Sequence, residues 1–173
     1  ISEVRKINDS TSLLLSNHGT YLLINKSQKK LTNTAGIGLK QLTNIASGAA
    51  SKNKLLFCNN DGAFEPSLFL YDIKTAAVTS VTEGFIVNKI VQNKAGAIYI
   101  LTLHSGIKKI NTAKLQEDKI EYTAPWFLQY VDKNFKIENI IFDNENNIWC
   151  IDINRGCYKI NIATHVKTFY GYT

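Results

Sequence analysis

The sequence predicts an all-β protein, a β-propeller of about four four-stranded antiparallel blades. Three observations carry that reading. A tract of 22 residues recurs without a gap at an offset of 50. Clusters of turn-forming residues separate short apolar runs at even spacing. No segment has both the length and the composition of a stable helix.

The recurrence pairs Ile90–Asn111 (IVQNKAGAIYILTLHSGIKKIN) with Ile140–Asn161 (IIFDNENNIWCIDINRGCYKIN). Six positions are identical: Ile90/Ile140, Ile98/Ile148, Gly106/Gly156, Lys109/Lys159, Ile110/Ile160 and Asn111/Asn161. Composition alone would give about one or two. Val91/Ile141, Asn93/Asp143, Tyr99/Trp149, Leu101/Ile151 and Leu103/Ile153 are conservative pairs. Each copy reads as strand, polar turn, strand, turn with Gly, strand.

In the last copy Asn139–Phe142 is a short strand, and Asp143–Asn147 is a turn of residues that tolerate positive φ. Ile148–Ile153 is nearly continuous in apolar residues, as in a strand with both faces buried between sheets. Asn154, Arg155 and Gly156 reverse the chain, Cys157–Ile162 returns it, and Val166–Tyr170 adds a fourth strand.

Two fainter copies precede these, over residues 3–32 and 42–82. An apolar residue followed by Asn or Asp closes the third strand of every copy: Ile24-Asn25, Tyr71-Asp72, Ile110-Asn111 and Ile160-Asn161. Residues 1–173 are thus one propeller region with blades at roughly 3–32, 42–82, 86–123 and 137–173. Ala35–Ser51 has three internal glycines and is not a helix. Lys114–Lys136, with Pro125 and Trp126, is expected to be an inter-blade connection with an extended outer strand.

Composition narrows the chemistry. The net charge is +6, but 18 of the 20 basic residues are Lys scattered at turns, and only Arg5 and Arg155 offer a guanidinium. That pattern is a solvated surface, not a nucleic-acid footprint. Cys58, Cys150 and Cys157 have neither CxxC spacing nor an even count, so they form no disulfide framework or zinc site. Cys150 and Cys157 could face each other if the hairpin centres on Ile153-Asn154, although free core thiols are the simpler reading.

The longest apolar runs fall far short of the roughly 18–20 residues that span a bilayer, so no direct membrane contact is expected here. The chain has no Met, which suggests processing or excision from something longer.

The candidate chemical groups resolve mostly into turns. His18 and His104 occupy equivalent hairpins, and neither they nor His165 are accompanied by an acidic cluster, so no metal or other cofactor is expected. Asp143 and Glu145 form a carboxylate pair, but Asp143 matches Asn93 in the other copy, as a turn residue would. There is no Gly-x-Ser-x-Gly elbow, and Gly36-Ile37-Gly38 lacks what a phosphate loop needs. Residues that break the repeat at loops are the better ligand candidates. Arg155 replaces Ser105, Asp152 replaces Thr102, and Trp126 lies in the insertion between the last two blades. With His104, these form the proposed ligand-binding set.

Ile140–Tyr170 combines Asp-x-x-x-x-Ile-Trp, a Gly hairpin, an apolar-Asn end and a closing Phe-Tyr, and so resembles the two-component regulator propeller repeat. Ile90–Asn111 fits with Asn93 in place of the Asp and Tyr99 in place of the Trp. No Trp-Asp closes any repeat, unlike WD40. The resemblance implies the periplasmic sensor region of a hybrid histidine kinase. Such a region is non-catalytic, recognises a glycan or related small molecule, and transmits by subunit rearrangement. The family's members carry more blades, then an Ig-like domain, a membrane helix and a kinase.

A protein-interaction scaffold is the alternative. A propeller polysaccharide lyase is a third reading, for which no His/Tyr/Glu or metal centre can be assembled. Four blades are expected to form an open arc, with faces around Leu13–Leu15 and Ile148–Ile153 covered by a second copy or by other parts of a parent chain.

Overall fold

Among the described residues, the apolar runs of each blade become strands that pair with their neighbours in chain order. The computed structural model describes residues 3–6, 11–16, 19–24, 27–30, 45–59, 68–72, 74–75, 77–81, 84–115, 117 and 119–172. The first sheet and most of β5 are described by their backbone.

The strands form four sheets. The first contains β1 (Glu3–Lys6), β2 (Thr11–Ser16), β3 (Gly19–Ile24) and β4 (Ser27–Lys30). The second contains β5 (Ile45–Ser51), β6 (Lys54–Asn59), β7 (Leu68–Asp72) and β8 (Val78–Val81). The third contains β9 (Val87–Gln92), β10 (Ile98–Thr102), β11 (Ile107–Ile110) and β12 (Tyr122–Thr123). The fourth contains β13 (Asn139–Phe142), β14 (Asn147–Asp152), β15 (Gly156–Asn161) and β16 (Lys167–Gly171). All neighbours are antiparallel and follow chain order, so every sheet is a meander and the fold is the predicted propeller arrangement.

The recurring Asn or Asp at the end of the third strand has one physical role in three blades. Its Oδ1 accepts backbone N–H groups two and three residues on, closing the turn to the outer strand. Asp72 accepts from Lys74 and Thr75, Asn111 from Ala113 and Lys114, and Asn161 from Ala163 and Thr164. Asn25 and His18 lie outside the described residues.

Blades two and three share a core of Leu56, Cys58, Leu68 and Leu70 against Ile90, Ile98, Ile100 and Ile110. Blades three and four share another, with Tyr99, Leu101 and Ile107 against Ile140, Ile148, Cys150 and Ile160. Burial pushes the Cys150 thiol up to about 12, which keeps it protonated and inert.

Two expectations need correction, and the cysteine register bears out the simpler reading of free thiols. Helix does occur: α1 (Thr112–Leu115) starts on the Asn111 cap and buries Leu115, and a 3-10 helix spans Trp126–Tyr130. Pro125, with φ of −62°, presets the start of that second turn, and Phe127 is buried on its inner side. The connection therefore holds helical turns in place of an extended outer strand, and β12 has only two residues.

The strand around Ile148–Ile153 is not buried on both faces. Ile148, Cys150 and Asp152 are buried, Trp149 and Ile151 are half-buried, and Ile153 is 67% exposed in the turn. Finally, Cys150 pairs across the ladder with Tyr158, and Cys157 with Ile151. Asp152 lies opposite Gly156, so the turn has three residues and the register differs by one from a two-residue loop. The two cysteines face opposite sides of the sheet, and both are free thiols.

Candidate functional site

In a meander the first and third turns lie at one end of the sheet and the second turn at the other. The second turns of blades three and four, Leu103–Gly106 and Ile153–Arg155, therefore share an end. Beside the first of these lies a cleft of about 340 Å³. Its base is apolar, from Leu128, Phe135 and Ile137, and its rim carries Thr102, His104 and Lys136. One wall belongs to blade three and the other to the connection leading into blade four. The blade-three wall is fixed by its own turn: Thr102 Oγ1 donates to Gly106 O at 2.8 Å and accepts from Ser105 N at 2.8 Å.

Asp152 occupies the position equivalent to Thr102 and closes its turn in the same way, accepting from Asn154 N at 2.9 Å. Its second oxygen accepts from Lys136 N at 3.0 Å. Asp152 is 3% exposed, so its carboxylate is engaged in holding the cleft's far wall rather than open to a ligand. Glu138 reinforces the joint by accepting from Ile153 N at 3.1 Å. Arg155 is exposed in the neighbouring turn, where its backbone N–H donates to Asp152 O.

Trp126 lies elsewhere. Its ring packs at a tilt against His165 with centroids 4.7 Å apart, and His165 also meets Tyr130 Oη through Nδ1 at 3.0 Å. His165 belongs to the third turn of blade four, at the opposite end of β15 from Arg155. The structure thus places His104 and Lys136 on one cleft, with Asp152 bonded to the Lys136 backbone behind its wall, while Arg155 and Trp126 are not among the residues that line it. Sequence inspection missed Lys136 and the apolar base. Their only signal was a connection unusually long for the repeat.

Asp143 is a structural residue. Its Oδ1 accepts from Glu145 N and Asn147 N at 2.9 Å each, and its Oδ2 accepts from Trp149 Nε1 at 2.8 Å. The indole N–H foremost, then Asn147 and the turn amides, hold this carboxyl well below the usual carboxylate range. Asn93 makes the matching turn bond to Ala97 N at 2.8 Å. Asp143→Ala is expected to lower the melting temperature and shift Trp149 emission. Asp143→Asn, which copies blade three, is expected to lose less. Differential scanning fluorimetry with emission spectra checks both, and equal losses would contradict the turn role.

Among the described residues no group of three His, Cys, Asp or Glu side chains could hold a metal ion. Among them, too, no helix is long and apolar enough to cross a membrane.

No protein-family model matches the chain, and no curated protein is similar to it. Solved structures are. The extracellular domain of the hybrid two-component system BT4673 from B. thetaiotaomicron superposes with a TM-score of 0.59 at 18% identity, over 96% of this chain and 24% of that one. The corresponding domain of BT3049 from the same organism gives 0.57 at 16%, over 98% and 23%. PorZ, a surface component of the type-IX secretion system of Porphyromonas gingivalis, gives 0.57 at 14%, over 93% and 25%. The chain spans about a quarter of the length of these proteins, and what it shares with them is the fold.

Proposed function

We propose that this chain is a non-catalytic, ligand-sensing propeller region of a bacterial hybrid two-component sensor, working outside the cytoplasm, in the periplasm. The observation that carries the reading is the cleft between two blades. Its volume of about 340 Å³ falls in the range of small-molecule sites, roughly 300–1,000 Å³. An apolar base under a polar rim suits an oligosaccharide, whose ring faces are apolar and whose edges carry hydroxyls. A sugar on Leu128 and Phe135 would meet His104 on one wall and Lys136 on the other. Because the walls belong to different blades, occupancy would bias the angle between them, and subunit rearrangement could follow. The shared fold with extracellular domains of two-component systems supports the sensor assignment.

Calorimetric titration against a panel of neutral and acidic oligosaccharides tests the proposal. One class should bind, and His104→Ala should weaken it by about tenfold, as loss of a hydrogen bond to a ligand does. No binding by any member of the panel, or binding indifferent to both His104→Ala and Lys136→Ala, would sink it.

A further inference from the structure

The joint between the connection and blade four is built from ions, whereas the same joint in blade three is not. At the 50-residue offset Lys136, Glu138 and Asp152 replace Ile86, Asn88 and Thr102. In blade three the amide that follows the second strand needs only backbone, Leu103 N donating to Ile86 O at 2.9 Å. In blade four the equivalent Ile153 N donates to Glu138 Oε2 at 3.1 Å, and Glu138 Oε1 lies 3.2 Å from Lys136 Nζ. The repeat thus has a neutral way to close this joint, and the fold does not call for charges there. Their consequence falls on the cleft, because Lys136 lines it.

What matters for a ligand is the charge the wall leaves uncompensated. Lys136 Nζ is paired with Glu138, and Asp152 stands behind the same wall, bonded to Lys136 N. One ammonium therefore faces two carboxylates. Arg155 is exposed in the turn beyond and is not among the residues that line the cleft. On the facing wall the Thr102 hydroxyl is committed to its own turn, and His104 offers an imidazole. The ion pair adds little stability, since its side chains are 75% and 30% exposed and solvent screens them. Its effect on a ligand is larger. An incoming carboxylate would have to displace Glu138 from the ammonium and then sit beside two like charges. Hydroxyls can bond to either partner of the intact pair.

We propose that Glu138 sets the charge preference of the cleft: by holding Lys136 in an internal ion pair, it selects a neutral oligosaccharide over one that carries carboxylates. This rests on reading the cleft as an oligosaccharide site.

The test pairs each probe with a counterpart of different charge on the same sugar chain. Oligogalacturonides are matched with their methyl esters, and xylo-oligosaccharides with the same chains bearing a glucuronate branch. Calorimetric titration of the unaltered chain at low salt should show the neutral member of the binding pair at least about tenfold tighter, the size of one like-charge contact near a surface. Salt at about 0.3 M should shrink that gap by screening it. Glu138→Gln keeps an acceptor for Ile153 N and frees the ammonium. It should lower the neutral-to-acidic affinity ratio by at least about tenfold, as a charge-assisted hydrogen bond to the ligand carboxylate would. Lys136→Gln, which leaves Glu138 uncompensated, should raise the ratio, and it decides the matter even where Glu138→Gln fails to fold by circular dichroism. An acidic member that binds the unaltered chain as tightly as its neutral counterpart overturns the proposal, as does a ratio that neither variant moves. If His104→Ala still weakens binding in those cases, the cleft reading stands without the role for Glu138. No binding by any pair sinks the cleft reading and this inference with it.

Discussion

Gly156→Ala should unfold the fourth blade, while Gly106→Ala, at the equivalent position of the third, should be mild. Both glycines have positive φ, +71° at Gly106 and +118° at Gly156. The first value lies in the left-handed region, where an L-residue costs about 1 kcal/mol, and a Cβ at Gly106 meets nothing within 4 Å. The second lies in territory that glycine alone occupies readily. A Cβ at Gly156 would also collide with the Tyr170 carbonyl oxygen and lie 2.9 Å from Gly171 Cα. These are backbone atoms of β16, which pairs Gly156 with Gly171, so no rotamer change relieves them. Blade three escapes because β12 has two residues and pairs only with Lys109 and Ile110.

The expected loss is about 4 kcal/mol or more for Gly156→Ala, in the range reserved for combined strain and overpacking. Urea unfolding followed by tryptophan fluorescence measures it, since both tryptophans lie in blade four or its connection. Equal losses at the two glycines would show that the β16 pairing is not what demands a glycine.

That contrast marks how far the sequence could be read. The 50-residue recurrence revealed the blades because the positions that pack on the preceding sheet keep their environment: Ile98 and Ile148 are both fully buried there. The Asx turn after the third strand of blades two, three and four was legible for the same reason, being a bond within a few residues. What depended on contacts across longer separations was not legible. Asp152 differs from Thr102, and a difference at a loop suggested a ligand. Its extra oxygen instead reaches Lys136 N, 16 residues away, and fastens the connection. Trp126 looked like a partner for Arg155, yet the fold of its helical turn carries it to His165. The cysteine register turned on a single residue of loop length, which Gly156 decides through its backbone angle. Arg155 and His104 do share an end, because turn order in a meander fixes that much.

The largest electrostatic effect is expected at Lys54 and Asp72. In blade four the facing ends of β14 and β15 are joined by an amide pair, Asn161 Nδ2 donating to Asn147 Oδ1 at 3.1 Å. The same register position in blade two holds an ion pair, Lys54 Nζ to Asp72 Oδ2 at 2.7 Å, with Lys54 only 4% exposed. Asp72 keeps its turn role through Oδ1. The Lys54 ammonium, and then the turn amides, lower its carboxyl to about 2.

Asp72→Asn preserves the turn but removes the charge facing a buried ammonium. A loss of about 2–3 kcal/mol is expected, at the lower end for a broken buried pair because the Asp72 side chain remains 22% exposed. The double variant Lys54→Asn/Asp72→Asn rebuilds the blade-four amide pair and should recover most of that loss, leaving a coupling between the two sites. The pH dependence has a definite sign. Asp72 is more acidic folded than unfolded, so its contribution is complete above about pH 4 and disappears as pH falls through about 2. The gap in stability between the parent and Asp72→Asn should therefore narrow across that window and stay constant above it. Urea titrations of the three proteins from pH 6 to about pH 2 decide the matter. A double variant no more stable than Asp72→Asn would mean that blade two cannot accept the amide pair its register matches.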